Sequence, residues 1–173
     1  MKPPPTITVQ RATLLQSDIA FALIEEYYEA IRVLLRDDRA ALVYYLSSPD
    51  SSIWIAFASA TGGPSPAGCV MLRPLPQTPH AAEVKRLYVR PAFRGLGVAH
   101  ALMQAAEDHA RREGVRWLYL DTKDDLHAAI RSGLPDEELV RIIEHAVANK
   151  EARHHIGEPG FIQPGRTMVH IGG

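Results

Sequence analysis

The sequence predicts one mixed α/β domain built around a partly antiparallel sheet. Its 173 residues are 46% hydrophobic and 23% charged, which is the composition of an ordinary globular domain. Segments that alternate apolar and polar residues, as strands do, are interspersed with segments whose apolar residues recur every three or four positions, as in helices. A connection rich in glycine and proline at residues 60–67 separates two consecutive strands, which favours antiparallel neighbours.

The first half of the chain is predicted to form a strand, two helices and two further strands. Ser17 is a candidate N-cap for the first helix, in which Ile19, Leu23 and Tyr27 recur at helical spacing. The second helix ends before a run of serine, proline and aspartate at residues 47–52. In chain order we predict a strand at 6–12, helices at about 17–36 and 38–46, and strands at 52–59 and 68–75.

The second half is predicted to alternate strands and helices. Pro91 ends an apolar strand, and Gly114 has the position of a C-cap glycine after the helix that follows. Pro135 precedes three acidic residues, a pattern typical of a helix start. In chain order we predict a strand at 82–90, a helix at about 98–112, a strand at 116–121, a helix from 135 to about 147, and one or two short strands within 160–173.

Charge, cysteine content and hydropathy narrow the functional classes. Nineteen basic and twenty acidic residues give a formal net charge of −1, which argues against nucleic acid as a partner. Cys69 is the only cysteine, so neither an intramolecular disulfide nor a cysteine-based zinc site is expected, and Cys69 is interpreted as a buried structural thiol. No signal peptide or membrane helix is predicted, and we expect a cytoplasmic protein.

The residues that indicate chemistry lie in a turn between the strand at 82–90 and the next helix. Arg94, Gly95, Leu96 and Gly97 open directly into that helix. Glycines allow a ligand to approach the backbone closely, and the first amides of a helix have no partners within it. Together with the helix dipole, these features predict a pyrophosphate site, to which Arg94 adds a fork of donors.

The turn has three other interpretations: a structural turn, a P-loop and part of a dinucleotide-binding fold. A tight structural turn that binds nothing stays open for the glycines taken alone. A P-loop requires Gly-Lys followed by serine or threonine, which the chain lacks. A dinucleotide fold could use Asp121, at the end of the next strand, to bind a ribose, but the third glycine of its fingerprint is missing after Gly97.

The run from Arg94 to Ala99 resembles the Arg/Gln-x-x-Gly-x-Gly/Ala signature of the GNAT superfamily of acetyl-CoA-dependent N-acetyltransferases. The flanking strand, the following helix and the strand at 117–122 agree with the resemblance. It implies a GNAT-like fold, with a mixed and largely antiparallel central sheet flanked by helices. It further implies that acetyl-CoA is the cosubstrate and that the strand at 82–90 pairs with the pantetheine arm of acetyl-CoA. The implied CoA-binding residues are Leu87, Tyr88, Val89, Arg94, Gly95, Leu96, Gly97, Val98, Ala99 and Asn149.

Asn149 comes from a second pattern of the same family, Asn-x-x-Ala-x-x-Leu-Tyr-x-x-x-Gly-Phe. Ala152, Gly160 and Phe161 also fit this pattern, whereas Ile156 replaces its tyrosine. A competing register starts at His127 but lacks the final Gly-Phe. In the preferred register residues 123–148 form an insertion, expected to be helical. The single domain is then divided into 6–65, the acyl-CoA-binding core 66–122, the insertion 123–148 and the C-terminal part 149–173.

The resemblance implies direct attack by a primary amine of a small molecule or peptide on the acyl group. Glu83 is the candidate base, and the alternative for it is a solvated or salt-bridged carboxylate. A backbone amide near Leu87 would stabilise the oxyanion. His155, or its neighbour His154, could replace the missing tyrosine as proton donor, although two surface histidines are the simpler interpretation.

The expected partners follow from the same interpretation. Glu25, Glu26 and Glu29 could attract a cationic amine, or could be a solvated helix face. No metal, nucleic acid or membrane is expected, and a homodimer is considered by analogy with the fold. The alternative function is a regulatory module that binds acyl-CoA without catalysis, which the isoleucine at position 156 favours.

Overall fold

The computed structural model describes residues 4–32, 34, 36–60, 62–75, 78–121 and 166–171. These residues form a six-stranded sheet flanked by three helices. Along the chain the elements are β1 (Thr6–Arg11), α1 (Ser17–Ile31), α2 (Arg39–Ser47), β2 (Ser52–Ala60), β3 (Gly63–Pro74), β4 (Ala81–Val89), α3 (Val98–Arg112), β5 (Trp117–Asp121) and β6 (Arg166–His170).

The strands lie in the sheet in the order in which they occur in the sequence. Every neighbouring pair is antiparallel except β4 and β5, which are parallel because α3 forms the crossover between them. This mixed, largely antiparallel sheet confirms the predicted fold class. Within the described part of the chain, no helix is long and apolar enough to span a membrane.

Each face of the sheet is covered by helices, because apolar side chains alternate along the strands. One buried cluster joins Val84, Leu87 and Val89 of β4 to Val98 and Leu102 of α3. The other cluster lies on the opposite face, where side chains of α1 and α2 pack against β2, β3 and β4. Residues of β4 therefore point alternately towards α3 and towards α1, except between Val84 and Leu87, which both face α3.

The pairing of β4 with β5 stops halfway along β4. Ala81 to Val84 pair with Trp117 to Leu120, and no pairing with β5 follows. β4 nevertheless continues to Val89, still paired with β3. Among the described residues, the edge of β4 on the side of β5 therefore has no paired strand after Val84, and we call the region beside this edge the fork.

An irregularity in β4 lies at the base of this fork. The register between β3 and β4 shifts between Cys69 and Met71, and Arg86 has a φ of 55°, which is unusual for a side-chain-bearing residue. A bulge bends its strand and increases the local twist. We attribute the separation of β4 from β5 to this bend.

Two predicted boundaries differ from the observed ones by more than one residue. α1 ends at Ile31 instead of near residue 36, because Arg32 adopts the left-handed conformation and closes the helix without a glycine. The hairpin between β2 and β3 is tighter than predicted, since Ala60 pairs with Gly63 and β3 begins five residues early. The predicted insertion at 123–148 lies outside the described residues, and β6 is the final strand within them.

Candidate functional site

The predicted glycine turn joins β4 to α3 and adopts the conformation that its glycines permit. A short 3₁₀ turn at Pro91–Phe93 leads into Gly95 and Gly97, whose φ values are 73° and 80°. Apart from the chain neighbours, a Cβ atom added at either glycine would have no atom of the described residues within 4 Å. The glycines are therefore required by backbone conformation, and their Cα atoms face open space that a ligand could occupy.

Beyond Gly97, α3 begins with amides available for an anion. Ala101 donates to the carbonyl of Gly97 at 3.0 Å, so the amides of Val98 and Ala99 precede the first helical hydrogen bond. The first turn carries no acidic residue, whereas the last turn carries three basic ones. The side chains of Val98 and Ala99 are buried against the sheet, which fixes the helix end beside the fork.

Arg94 connects the turn to the end of β4. Its Nε donates to the carbonyl oxygen of Val89 at 3.2 Å, and the side chain is half-buried. The guanidinium therefore positions the turn in addition to carrying positive charge beside the amides of α3. A phosphate in the turn would lie between this charge and the positive end of the helix.

The free edge of β4 is formed by Val89 and Leu87. Arg90 donates to the carbonyl of Ala67 on β3 at 2.8 Å, and successive residues direct their backbone groups to opposite edges of a strand. The backbone of Val89 therefore faces the fork, as does that of Leu87 two residues earlier. The backbone of Tyr88 instead faces β3, where Tyr88 pairs with Cys69.

Glu83 lies within the paired half of β4 and on the face that α1 covers. Its side chain is only 1% exposed, and Arg73 donates from Nε to its Oε2 at 2.9 Å. The Nζ of Lys85 lies 3.5 Å from Oε1. Glu83 is thus a buried, ion-paired carboxylate one residue before the fork opens, which corresponds to the salt-bridged alternative rather than to a solvated strand end.

Tyr88 lies in a cluster with Arg90 and Glu26, which the sequence alone did not suggest. Arg90 donates from Nε and Nη2 to the two carboxylate oxygens of Glu26, at 3.0 and 2.7 Å, and from Nη1 to the carbonyl of Pro66 at 3.0 Å. Burial raises the pKa of the Tyr88 hydroxyl, and the neighbouring Glu26 carboxylate raises it further. The phenol is therefore neutral at physiological pH.

A second unpredicted network holds the bulge of β4. Arg86 donates from Nε to the hydroxyl of Tyr28 at 2.8 Å and from Nη2 to Asp37, and Tyr28 donates to Asp37 at 2.9 Å. The Sγ of Cys69 lies 3.5 Å from the carbonyl oxygen of Arg86. The network joins α1, the segment before α2 and β4, which are too far apart in sequence for any local motif to reveal.

The acidic residues of α1 are paired with arginines. Arg36 donates to Glu29 at 2.7 Å and to Glu25 at 3.4 Å, while Glu26 pairs with Arg90. Two arginines therefore offset part of the negative charge of these three glutamates, which were proposed to attract a cationic amine. Near these acids, Tyr27 and Tyr28 of α1 are buried, whereas Tyr44 of α2 is 66% exposed.

The predicted site residues divide into three groups. The structure places Leu87, Val89 and the turn from Arg94 to Ala99 along one edge. Glu83, on the α1 face, and Tyr88, whose backbone pairs with β3, lie away from this edge. Asn149 and His155 lie outside the described residues. Within the part of the chain that the structure describes, no group of histidine, cysteine or acidic residues could hold a metal ion.

Comparisons with known proteins agree with this geometry. The model of the acetyltransferase (GNAT) family matches residues 18–132, more than half of the chain. An uncharacterized N-acetyltransferase of Schizosaccharomyces pombe is 30% identical over 136 residues, which are 76% of this chain and 82% of the relative. A predicted acetyltransferase from Clostridium acetobutylicum, solved with acetyl-CoA, has a TM-score of 0.54 at 14% identity and covers 66% of this chain and 80% of its own.

A shorter similarity involves a different class of protein. A GTP 3',8-cyclase of Streptomyces coelicolor is 45% identical over 56 residues, which are 32% of this chain but only 16% of the cyclase. This chain therefore spans about a sixth of the length of that relative. The family match and the S. pombe relative instead extend over most of the fold described above. The chain belongs to the GNAT family of acetyltransferases.

Proposed function

We propose that the protein is an acetyl-CoA-dependent N-acetyltransferase that acts on a primary amine of a small molecule or peptide. The observation that carries the proposal is the edge of β4 that has no paired strand among the described residues after Val84. This edge leads into a glycine turn and the first amides of α3. The presence of acetyl-CoA in the C. acetobutylicum structure supports the same cosubstrate.

Acetyl-CoA would bind along the fork in two parts. The amides from Arg94 to Ala99 hold the pyrophosphate, where the helix dipole and the Arg94 guanidinium offset its charge. The pantetheine arm pairs with the backbone of Leu87 and Val89 as an additional strand would. This arrangement directs the thioester towards the base of the fork, beside the bulge at Arg86.

The reaction proposed there is direct transfer. The neutral amine attacks the thioester carbonyl, a carbon–nitrogen bond forms, and the oxyanion accepts a hydrogen bond from the backbone amide of Leu87. The carbon–sulfur bond then breaks and CoA leaves as a thiol or thiolate, which its pKa of about 8.5 makes tolerable without protonation. Glu83 receives the proton that the amine loses.

Several parts of this proposal concern residues or properties beyond the described site. Asn149 is proposed to contact CoA and His155 to protonate the thiolate. The chain is proposed to form a single acyl-CoA-binding domain with an insertion at 123–148, in a cytoplasmic protein that could form a homodimer.

Thermal unfolding with and without acetyl-CoA tests binding, with NADH as the control ligand. At a hundred times its dissociation constant, acetyl-CoA is expected to stabilise the protein by about 2.7 kcal/mol, while NADH has no effect. Release of thiol in the presence of an amine panel tests catalysis. Binding without thiol release would contradict the enzyme and support the regulatory module, and absence of binding would contradict both.

A further inference from the structure

The side chain of Arg73 lies beside Glu83, and its position bears on which acceptor the site would bind. Arg73 is directly opposite Glu83 in the antiparallel pairing of β3 and β4, so both side chains lie on the sheet face that α1 covers. This is one residue before the fork begins. A group bound by Arg73 would therefore lie close to the proposed base, on the same face of the sheet.

Arg73 uses only part of its hydrogen-bonding capacity. Its Nε donates to Glu83 at 2.9 Å, and within the described residues its two terminal nitrogens donate no hydrogen bond. The side chain is 33% exposed, so these nitrogens can be reached from solvent. A guanidinium held through Nε has a fixed orientation, and its remaining donors match the two oxygens of a carboxylate.

The charges around the proposed base also favour an anionic group. Glu83 forms ion pairs with both Arg73 and Lys85, so two positively charged side chains lie beside the proposed base. The neighbouring Arg86 is paired with Asp37, and the acids of α1 are paired with Arg36 and Arg90. An acceptor with an additional positive charge would approach cations, whereas a carboxylate would be attracted.

We propose that Arg73 binds a carboxylate of the acceptor, so that the preferred substrate is a small amino acid-like amine. The inference rests on the proposed acetyl transfer at Glu83. Because Nε of the same guanidinium is 2.9 Å from Glu83, the acceptor's amine and carboxylate must be only a few bonds apart to reach both residues. Acceptors of this class carry both groups on one small carbon skeleton.

The test compares matched amines by their rate of thiol release from acetyl-CoA. Each amino acid is paired with its amide, which differs only in the charged group, and aminoalkyl phosphonates distinguish a carboxylate from another oxyanion. In the wild type we expect kcat/KM for the acid to exceed that for its amide by about 10- to 100-fold, as for loss of a charged hydrogen bond. Preference for the amide, or for the phosphonate over the carboxylate, would overturn the proposal.

Substitution of Arg73 locates the source of the preference. In Arg73→Gln the KM for the acid is expected to rise towards that for the amide, while the KM for the amide changes little. Arg73→Lys keeps the charge but loses the fork, so it should retain part of the preference. The control Arg36→Gln removes an arginine that pairs with Glu25 and Glu29 of α1, and it should leave the ratio unchanged. An equal fall in kcat for acid and amide would show that Arg73 acts only through Glu83, which contradicts acceptor binding.

Two further measurements keep the outcome interpretable. If Arg73→Gln does not fold, stabilisation of the wild type against heat by the acid but not by its amide, in the presence of CoA, tests the same contact. Equal stabilisation by both compounds would overturn the proposal. Failure of the proposed function itself is distinguished because the wild type would then release no thiol with any amine.

Discussion

Arg90 and Glu26 form a bidentate ion pair that joins the end of β4 to α1, with distances of 3.0 and 2.7 Å. A third hydrogen bond links Arg90 to the carbonyl of Pro66 on β3. The pair therefore fixes the exit of β4, immediately before the turn that is proposed to bind pyrophosphate. Tyr88 faces the same carboxylate, so the cluster lies on the α1 face of the sheet, at the end of β4.

The first prediction concerns the energy of this pair. A double-mutant cycle of Arg90→Gln and Glu26→Gln is expected to give a coupling of about 0.5–1 kcal/mol, because both side chains are roughly one-third exposed and solvent screens the attraction. Urea unfolding of the four proteins measures the coupling. The more exposed pair of Arg39 and Asp18 is the control, with an expected coupling near zero. Equal couplings would contradict a structural role for Arg90.

The second prediction concerns the close approach of β3 and β4 at Gly68. A Cβ at this position would lie 2.4 Å from the carbonyl oxygen of Tyr88 and 3.3 Å from the Cα of Val89. Gly68→Ala should therefore lower the free energy of unfolding by about 1–3 kcal/mol or more, because backbone must move. In the control Gly62→Ala, the added methyl meets no atom within 4 Å, and a change within about 0.5 kcal/mol is expected. Similar values for the two variants in urea unfolding would disprove the predicted contact.

The third prediction separates backbone conformation from ligand binding at Gly97. Gly97→Ala and the control Gly114→Ala both place a methyl group at a positive φ, 80° and 76°, with open space around it. Each should lose about 1–2 kcal/mol of stability. Only Gly97→Ala should also weaken acetyl-CoA binding, by at least about tenfold, because only its methyl group obstructs the proposed pyrophosphate site. Calorimetric titration with acetyl-CoA measures this difference, and equal affinities of the two variants would be evidence against the site.

The fourth prediction concerns the stability of the protein in alkali. Burial raises the pKa of the Cys69 thiol from 9.0 to about 12. The thiol of the unfolded chain ionises near pH 9, whereas the buried thiol of the folded protein stays protonated until about pH 12. The stability that Cys69 contributes is therefore complete below pH 9 and is lost as the pH rises from 9 towards 12. The slope is at most about 1.4 kcal/mol per pH unit. Urea unfolding between pH 8 and 11 should show a steeper loss for the wild type than for Cys69→Ala. Parallel pH profiles would show that the thiol is not buried.

The fifth prediction tests the proposed base. Glu83→Gln keeps the size of a side chain that is 1% exposed but removes its negative charge. Turnover should fall by about 10²- to 10⁴-fold if Glu83 accepts the proton of the amine, while acetyl-CoA binding is retained. Thiol release across a range of pH, together with the thermal shift caused by acetyl-CoA, measures both properties. Unchanged turnover at every pH would remove Glu83 from the mechanism and leave it a structural ion pair.

The glycine turn shows what could be predicted from the sequence. Gly95 and Gly97 occupy positive φ values, and α3 begins at the next residue, as the motif indicated. Such a turn depends on the conformations of a few consecutive residues, and these are set by local sterics. The order of strands and helices followed from periodicity for the same reason. The early end of α1 could not be predicted, because Arg32 adopts a conformation that glycine normally provides.

The sequence by itself determined the class of the protein, the strand–turn–helix unit and the residue types available for chemistry. Tertiary structure decided which of those residues meet. The fork between β4 and β5, the burial of Glu83 beside Arg73, and the pairing of Arg90 with Glu26 depend on sheet register and on contacts between distant segments. Glu26 and Arg90 are 64 residues apart, and no local pattern records such a pairing. Register and packing are set by the burial of whole faces, and so they emerge only when the complete sheet forms.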